Sequence, residues 1–187
     1  KIFLFVHLID PHGPYGAPGD FRSYYKSKLG NPMEPGTVPR FQRIEGALTL
    51  ADYIDAYDGE IAYAMTHVAR LFDALRRHGL YDRALIILTA DHGESLGEHG
   101  SIFRHGETLN DPSVRIPLMI KPPGGRADGV LPRYGAAVSL VDIMPTVADY
   151  LGLGRPVKWD GRSLKGAVTG DPPRRTRVVF SSRVVPG

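Results

Sequence analysis

The hydrophobic positions along the chain follow two different periods. Between Leu48 and Arg77 apolar residues recur every three or four positions, which predicts one or more amphipathic helices ended by the glycine of residues 78–80. Residues 2–9 and 84–89 are instead nearly continuous apolar runs, which are typical of short strands covered on both faces. Further elements are predicted beyond them: strands at 116–120, 136–140 and 178–180, and a helix at 142–150.

Strands that alternate with helices predict an α/β fold. We expect a three-layer α/β/α sandwich with a mainly parallel sheet. In such sheets ligands lie beyond the carboxyl ends of the strands. The segment Thr89–Gly106, TADHGESLGEHGSIFRHG, directly follows the strand at 84–89 and is rich in acidic residues and histidines. The ionisable groups therefore stand where a site is expected.

A long stretch rich in glycine and proline, at about residues 13–46, separates the first predicted strand from the first helix. Loops longer than ~12–15 residues are uncommon in compact domains unless they are functional or mobile. This stretch is therefore a candidate determinant of substrate specificity.

Composition narrows the function classes. The 187 residues carry a formal net charge of +3 with scattered basic residues, which does not indicate nucleic-acid binding. No apolar run approaches the ~20 residues of a membrane span. The chain has no cysteine, which excludes a disulfide framework, a thiolate metal site and a cysteine nucleophile within it. Compartment and oligomeric state stay undetermined.

Asp91 and His92 are the candidate metal ligands. A carboxylate and a neutral imidazole at a strand-to-loop turn suit Mn, Mg or Zn, or Ca where oxygens dominate the remaining ligands. Two ligands do not fill a coordination shell, so others have to come from elsewhere. In the alternative interpretation Asp91 caps a following helix and His92 is structural, and these residues alone favour it slightly.

His12 and His105 are the other candidates. His12 follows the run at 2–9, and if both strands release their loops at one sheet edge it faces Asp91 and can act as a general acid. His105, next to Arg104, can hold an anionic tetrahedral ester. The alternatives are a loop histidine at position 12 and a solvated loop pair at 104–105. We expect Asp10, Glu98 and His99 to be structural first.

Several ordered segments resemble the sulfatase family within the alkaline phosphatase superfamily. They are FLFVHLIDPHGPYGAP, then ALIILTADHGESLGEHG, HGETLNDPSVRIPLMIKPPGG and VSLVDIMPTVADYLGL. The resemblance implies an alkaline-phosphatase-like α/β/α hydrolase that cleaves sulfate esters of small molecules or glycans. It also implies one divalent cation, Ca by family with Mn or Mg as alternatives, and a formylglycine nucleophile made from Cys or Ser.

The resemblance also assigns roles to the candidate residues. Asp91 and His92 match the late metal-binding pair of the family, whose other ligands are acidic residues of an early strand. His12 matches the histidine that helps the leaving group depart. His105 matches the lysine or histidine that contacts the sulfate, and Arg104 takes this role if the loop aligns differently.

The sequence departs from the family pattern in two respects. It contains no C-x-P-S-R or S-x-P-S-R motif and no early pair of aspartates. We therefore expect residues 1–187 to be the carboxyl-proximal half of a catalytic domain, inactive alone, with 155–187 beginning a C-terminal subdomain. His92, where many sulfatases carry Asn, keeps open phosphonate or phosphodiester hydrolases and phosphoglycerol transferases. A non-catalytic binding domain that retains the fold is the alternative from another class.

Overall fold

The computed structural model of the chain describes residues 2–23, 37–100, 102–106, 108–125, 133–154, 158–172 and 177–182. The chain forms two compact units. The first consists of Lys1–Ala74 and Glu94–Glu107, and the second of Leu75–Gly93 and Thr108–Gly187. The backbone thus passes from the second unit back to the first directly after Gly93.

The described helices and strands are short apart from one helix. The α-helices are α1 (Leu50–Arg77), α2 (Asp111–Val114), α3 (Ile143–Leu151) and α4 (Lys165–Thr169). The strands are β1 (Ile86–Thr89), β2 (Ser95–Leu96), β3 (Ile102–Arg104) and β4 (Leu118–Lys121). Four 3-10 turns lie at Gly19–Ser23, Arg40–Gln42, Glu98–Gly100 and Leu140–Asp142. None of the described helices is both long and apolar enough to cross a membrane.

Helix α1 confirms the helical period predicted for residues 48–77. Its start is capped in both directions, because the Asp52 carboxylate accepts the backbone N–H of Leu48 and Thr49 while the Thr49 hydroxyl accepts that of Asp52. The backbone N–H donors lower the pKa of Asp52. The helix ends at Arg77, and Gly79, which has a φ of 64° and donates its N–H to the Arg76 carbonyl, forms the expected glycine stop.

The first unit is built around a buried aromatic cluster. Tyr15, Val38, Tyr53 and Phe103 form its centre. Phe103 is only 1% exposed, and its ring centroid lies 5.0 Å from that of Tyr53 and 5.5 Å from that of Tyr15. Strands β2 and β3 pair antiparallel beside this cluster, with Ser95 opposite Arg104. The cluster therefore ties the histidine-rich segment to α1.

The second unit contains an antiparallel pair, β1 with β4, in which Ile87 lies opposite Ile120. It confirms the strands predicted at 84–89 and 116–120, although their alternation with helices favoured a parallel arrangement. The end of β4 is fixed by Lys121, whose Nζ donates to the carbonyls of Tyr81, Asp82, Ala84 and Pro122 at 2.6–3.3 Å. The ammonium thus satisfies carbonyls of the loop before β1.

Helix α3 confirms the helix predicted at 142–150. Asp142, which precedes it, is fully buried and accepts the backbone N–H groups of Ser139 and Arg162. Arg177 forms an ion pair with the same carboxylate. These contacts hold a distant part of the chain against the start of α3, since a buried carboxylate requires donors and a counter-charge.

Three predicted strands are wrong. Residues 2–9, 136–140 and 178–180 have no strand structure in the described part of the chain, and the side chains of Phe3, Phe5 and Phe180 are largely exposed. A strand exists only where a neighbouring backbone completes its hydrogen-bond ladder, and no described residue does so here. An apolar run therefore indicates that a segment tends to be buried, but it does not specify the neighbouring strand that would pair with it.

The glycine- and proline-rich stretch at 13–46 is described in part. Residues 24–36 lie outside the described residues, and the prediction about specificity for that part stays a prediction. On either side of them the chain forms 3-10 turns at Gly19–Ser23 and Arg40–Gln42. Gln42 is buried, and its side chain would be 2.9 Å from a Cβ on Gly13, so the start of the stretch is closely packed.

Candidate functional site

The turn after β1 has a geometry that only glycine allows. The Gly93 N–H donates to the Ser113 carbonyl at 2.8 Å. A Cβ on Gly93 would lie 2.0 Å from the Pro112 carbonyl oxygen, which is far inside contact distance. Both contacts are with backbone atoms of Pro112 and Ser113, which can shift only at a cost in free energy. The close approach fixes the path of the chain just after Asp91 and His92.

The donor atoms of Asp91 and His92 point to a common region. Nε2 of His92 lies 3.7 Å from Oδ2 of Asp91. Two atoms that bind one divalent cation at ~2.0–2.4 Å are separated by roughly 3–4 Å, so this spacing fits a shared ion. The His92 side chain is 39% exposed and the Asp91 side chain 80% exposed, so both are accessible.

The orientation of the His92 ring also suits metal binding. Its Nδ1 lies 2.9 Å from the carbonyl oxygen of Gly93. A ligand histidine characteristically donates one ring N–H to a carbonyl so that the other nitrogen keeps its lone pair for the metal. The other oxygen of Asp91, Oδ1, accepts the backbone N–H of His92 at 3.0 Å.

The structure removes the helix-cap alternative for Asp91, since no helix follows it in residues 92–97. The described residues nevertheless contain no group of three or more His, Asp or Glu placed to hold a metal. Asp91 and His92 are therefore a pair of candidate ligands, and their assignment to a metal site stays a prediction.

A second cluster lies in the first unit, around His105. Its Nδ1 is 3.3 Å from Oε2 of Glu94, whose side chain is only 6% exposed. The same oxygen accepts the Tyr15 hydroxyl at 3.4 Å. Burial, reinforced by the nearby Glu94 charge, raises the pKa of Tyr15 far above its ordinary value, so its hydroxyl remains a donor. Oε2 of Glu94 thus faces both the Nδ1 atom of His105 and the hydroxyl group of Tyr15.

His12 adjoins this cluster. Its ring packs edge-on against that of His105, with centroids 5.4 Å apart. The His12 backbone N–H donates to Ile9, which forms a turn, and its Nδ1 lies 2.7 Å from the Gly13 carbonyl. The His12 side chain is exposed. Two histidines separated by about half of the chain, both assigned to the ester by the family resemblance, therefore lie side by side.

Some predicted relations stay predictions. His12 and Asp91 belong to different compact units, so their facing each other across one sheet edge stays a prediction. The side chain of Arg104 lies outside the described residues, and only its backbone in β3 is seen.

The residues expected to be structural behave in that way. Glu98 accepts the Leu96 N–H at 2.7 Å, and His99 has a left-handed φ of 54° within its turn. Asp10 lies beside Glu60, a buried acid of α1. Burial raises the pKa of Glu60, and Asp10 acts in the same direction.

Sequence reasoning did not select Glu94 or Tyr15. A signal was present, because Ser95–Leu96 and Ile102–Arg104 can form a short hairpin around the glycines between them. That pairing places the residue before Ser95 opposite the residue after Arg104.

The candidate residues form two groups, and each group suits a different chemical role. One is a carboxylate and imidazole pair suited to a divalent cation. The other is a pair of histidine rings, one of them backed by a buried carboxylate, which can hold an anion or move a proton. Both are typical of ester hydrolysis at an anionic centre.

Comparison with known proteins identifies the family of the chain. The Sulfatase family model matches residues 1–153. Among curated proteins the chain is 40% identical to the multifunctional alkaline phosphatase superfamily protein PehA of Trinickia caryophylli, over 87% of this chain and 36% of that protein. It is 33% identical to the choline-sulfatase of Rhizobium meliloti (strain 1021), over 89% of this chain and 35% of that protein.

Two solved structures of phosphonate monoester hydrolases also align with the chain. The phosphonate monoester hydrolase SpPMH from Silicibacter pomeroyi aligns with a TM-score of 0.71 and 31% identity, over 89% of this chain and 37% of that chain. The phosphonate monoester hydrolase of Agrobacterium radiobacter aligns with a TM-score of 0.62 and 34% identity, over 68% of this chain and 25% of that chain. The chain spans about a third of the length of the curated relatives it matches.

Replacing Gly93 with alanine tests the close approach at the turn. We expect Gly93→Ala to lower the free energy of unfolding by roughly 1–3 kcal/mol, because the added methyl group forces the backbone apart. Urea denaturation followed by circular dichroism measures this loss. Gly135→Ala is the matched control, since a Cβ there meets nothing within 4 Å. Equal stability of the two variants would contradict the packing described for Gly93.

Proposed function

Because the chain belongs to the sulfatase family, we propose that it carries part of the active site of a metal-dependent hydrolase of sulfate esters. The family and its alkaline-phosphatase-like α/β/α fold support hydrolysis as the reaction class. Small-molecule or glycan sulfate esters are the proposed substrates.

The observation that carries the proposal is the contact between His12 and His105. Each was assigned separately, His12 to the leaving group and His105 to the anion. These two roles require neighbouring positions, because the leaving oxygen is bonded to the central atom of the same ester. A ring-centroid distance of 5.4 Å supports this requirement.

Asp91 and His92 are the proposed ligands of the divalent cation, which is calcium by family, with manganese and magnesium as alternatives. Such a cation, when bound, neutralises the ester oxygens and lowers the pKa of the nucleophile. The chain's own contribution is to hold the two donors at the Gly93 turn. The remaining ligands come from outside the described pair.

His12 is proposed to protonate the leaving oxygen, and its exposed ring beside His105 supports this role. His105 is proposed to bind the anionic oxygens of the ester, with Arg104 as the alternative. A histidine that donates from both ring nitrogens can contact the ester with one and a protein acceptor with the other.

The nucleophile is proposed to be a formylglycine that lies outside these 187 residues. The chain has no cysteine and none of the family's nucleophile motifs. On this proposal the chain has no activity alone, and every experiment below uses the full-length protein.

Hydrolysis of phosphonate monoesters is the second candidate. It is favoured by the similarity to SpPMH, at 31% identity over 89% of this chain, and by a histidine at position 92. Both candidates use an anionic tetrahedral ester and the same residues, so only turnover separates them.

Substrate turnover separates these candidates. We expect the full-length protein to hydrolyse 4-nitrophenyl sulfate with a higher kcat/KM than 4-nitrophenyl phenylphosphonate, since the proposed reaction is sulfate ester cleavage. The measurement is nitrophenolate release under identical metal conditions. The reverse preference would transfer the assignment to phosphonate esters, and no turnover of either would favour a non-catalytic binding domain.

Removal of the Asp91 carboxylate tests the metal assignment. We expect Asp91→Ala to lose the bound divalent cation, because one of its anionic donors is gone. Elemental analysis of the purified, dialysed protein gives the metal content per chain. Asp160→Ala removes a carboxylate from an exposed position elsewhere in the second unit and serves as the control. Unchanged metal content in Asp91→Ala would refute the ligand role.

Removal of the His12 imidazole tests the proton transfer. We expect His12→Ala to slow hydrolysis of phenyl sulfate by about 10²–10⁴-fold, and that of 4-nitrophenyl sulfate far less, because a good leaving group needs little protonation. The kcat values are compared across a series of phenols of rising pKa. His78→Ala, an exposed histidine after α1, is the control. Equal slowing for all leaving groups would exclude general-acid catalysis by His12.

A further inference from the structure

Glu94 is a buried acid that the proposed chemistry does not use. Its side chain is 6% exposed, and Oε1 has no hydrogen-bond partner among the described residues. Its other oxygen faces His105 Nδ1 at 3.3 Å and the Tyr15 hydroxyl at 3.4 Å. Among the described residues Glu94 forms no ion pair with an arginine or lysine, and burial of such a carboxylate is unfavourable, which indicates a role for Glu94 other than stability.

The position of Glu94 is set by the β2–β3 hairpin. The pairing of Ser95 with Arg104 places Glu94 directly before β2 and His105 directly after β3, next to the paired residues. Phe103 anchors β3 in the aromatic cluster, with a left-handed φ of 48° that few non-glycine residues adopt. The contact between Glu94 and His105 is thus imposed by register and not by chance encounter of two flexible side chains.

A carboxylate in this position restricts the ring. With Nδ1 directed to Glu94, the imidazole plane is fixed and Nε2 lies on the side of the ring away from the carboxylate. His12 packs against the ring edge-on, which limits its rotation further. Acid–histidine pairs orient ligand and catalytic histidines in the same manner elsewhere in protein chemistry.

We propose that Glu94 is a positioning residue that holds the Nδ1 side of His105, so that Nε2 of His105 is directed to the anionic oxygens of the ester. This inference rests on the proposed function. It assigns the buried acid to the substrate-binding step, through His105 and without contact to the substrate.

A double-mutant cycle in the full-length protein tests this role. We expect Glu94→Ala to lower kcat/KM for 4-nitrophenyl sulfate by about 10–10²-fold, as expected for a displaced binding group, and to weaken competitive inhibition by inorganic sulfate. In the His105→Ala background the same substitution should have almost no further effect, because the ring that it orients is absent.

Glu60→Gln is the matched control. Glu60 is also a buried acid of the first unit, but its carboxylate accepts the backbone N–H of Gly16. Any effect of this substitution is structural and should be equal with and without His105. If Glu94→Ala fails to fold by circular dichroism, Glu94→Gln enters the same cycle, with a smaller effect in the same direction.

A spectroscopic measurement reports the contact independently of turnover. In protein labelled with ¹⁵N-histidine, the Nδ1 proton of His105 should resonate downfield through its hydrogen bond to the carboxylate, and Glu94→Ala should abolish this shift. His105→Ala assigns the signal.

The outcomes separate the two proposals. Ester hydrolysis by the wild type, with equal effects of Glu94→Ala in both backgrounds, would overturn the positioning role alone. An unchanged His105 Nδ1 signal in Glu94→Ala would do the same. Absence of both ester hydrolysis and sulfate inhibition in the wild type would overturn the proposed function, and the positioning role with it.

Discussion

Burial of Phe103 is the constraint on which the candidate site of the first unit depends. Its ring packs against Tyr15 and Tyr53, and it holds β3 in a backbone conformation that is unfavourable for a non-glycine residue. Packing of a large aromatic side chain is worth enough to offset such a local cost. Because β3 is fixed, its pairing with β2 is fixed, and Glu94 comes to lie beside His105.

In the second unit a close backbone contact, and not an aromatic side chain, positions the candidate residues. At Gly93 the backbone approaches that of the 112–113 segment so closely that no side chain fits. This contact holds the turn that carries Asp91 and His92, whose donor atoms lie 3.7 Å apart. One short segment, Thr89–Gly106, therefore supplies Asp91 and His92 as well as Glu94 and His105, and each pair is positioned by its own packing. The proposed roles follow this division, with metal binding before Gly93 and anion binding after it.

The fold shows which secondary-structure elements can be predicted from the pattern of apolar residues and which cannot. Helix α1 and helix α3 were predictable because a helix satisfies its own backbone hydrogen bonds, so its period is visible within the segment. The runs at 86–89 and 118–121 became strands because they pair with each other. The similar run at 2–9 did not, since a strand needs a partner that no local pattern specifies. Pattern alone therefore separated helices from apolar runs but not paired runs from unpaired ones.

The sequence by itself determined the family and the candidate residues Asp91, His92, His12 and His105, because these depend on residue types in a fixed order along the chain. Only the tertiary structure decided which of them lie together. It placed His12 against His105 and selected Glu94 and Tyr15, which carry no motif of their own. The physical reason is that hairpin register and aromatic packing set contacts between residues far apart in sequence, and neither is encoded in any single segment.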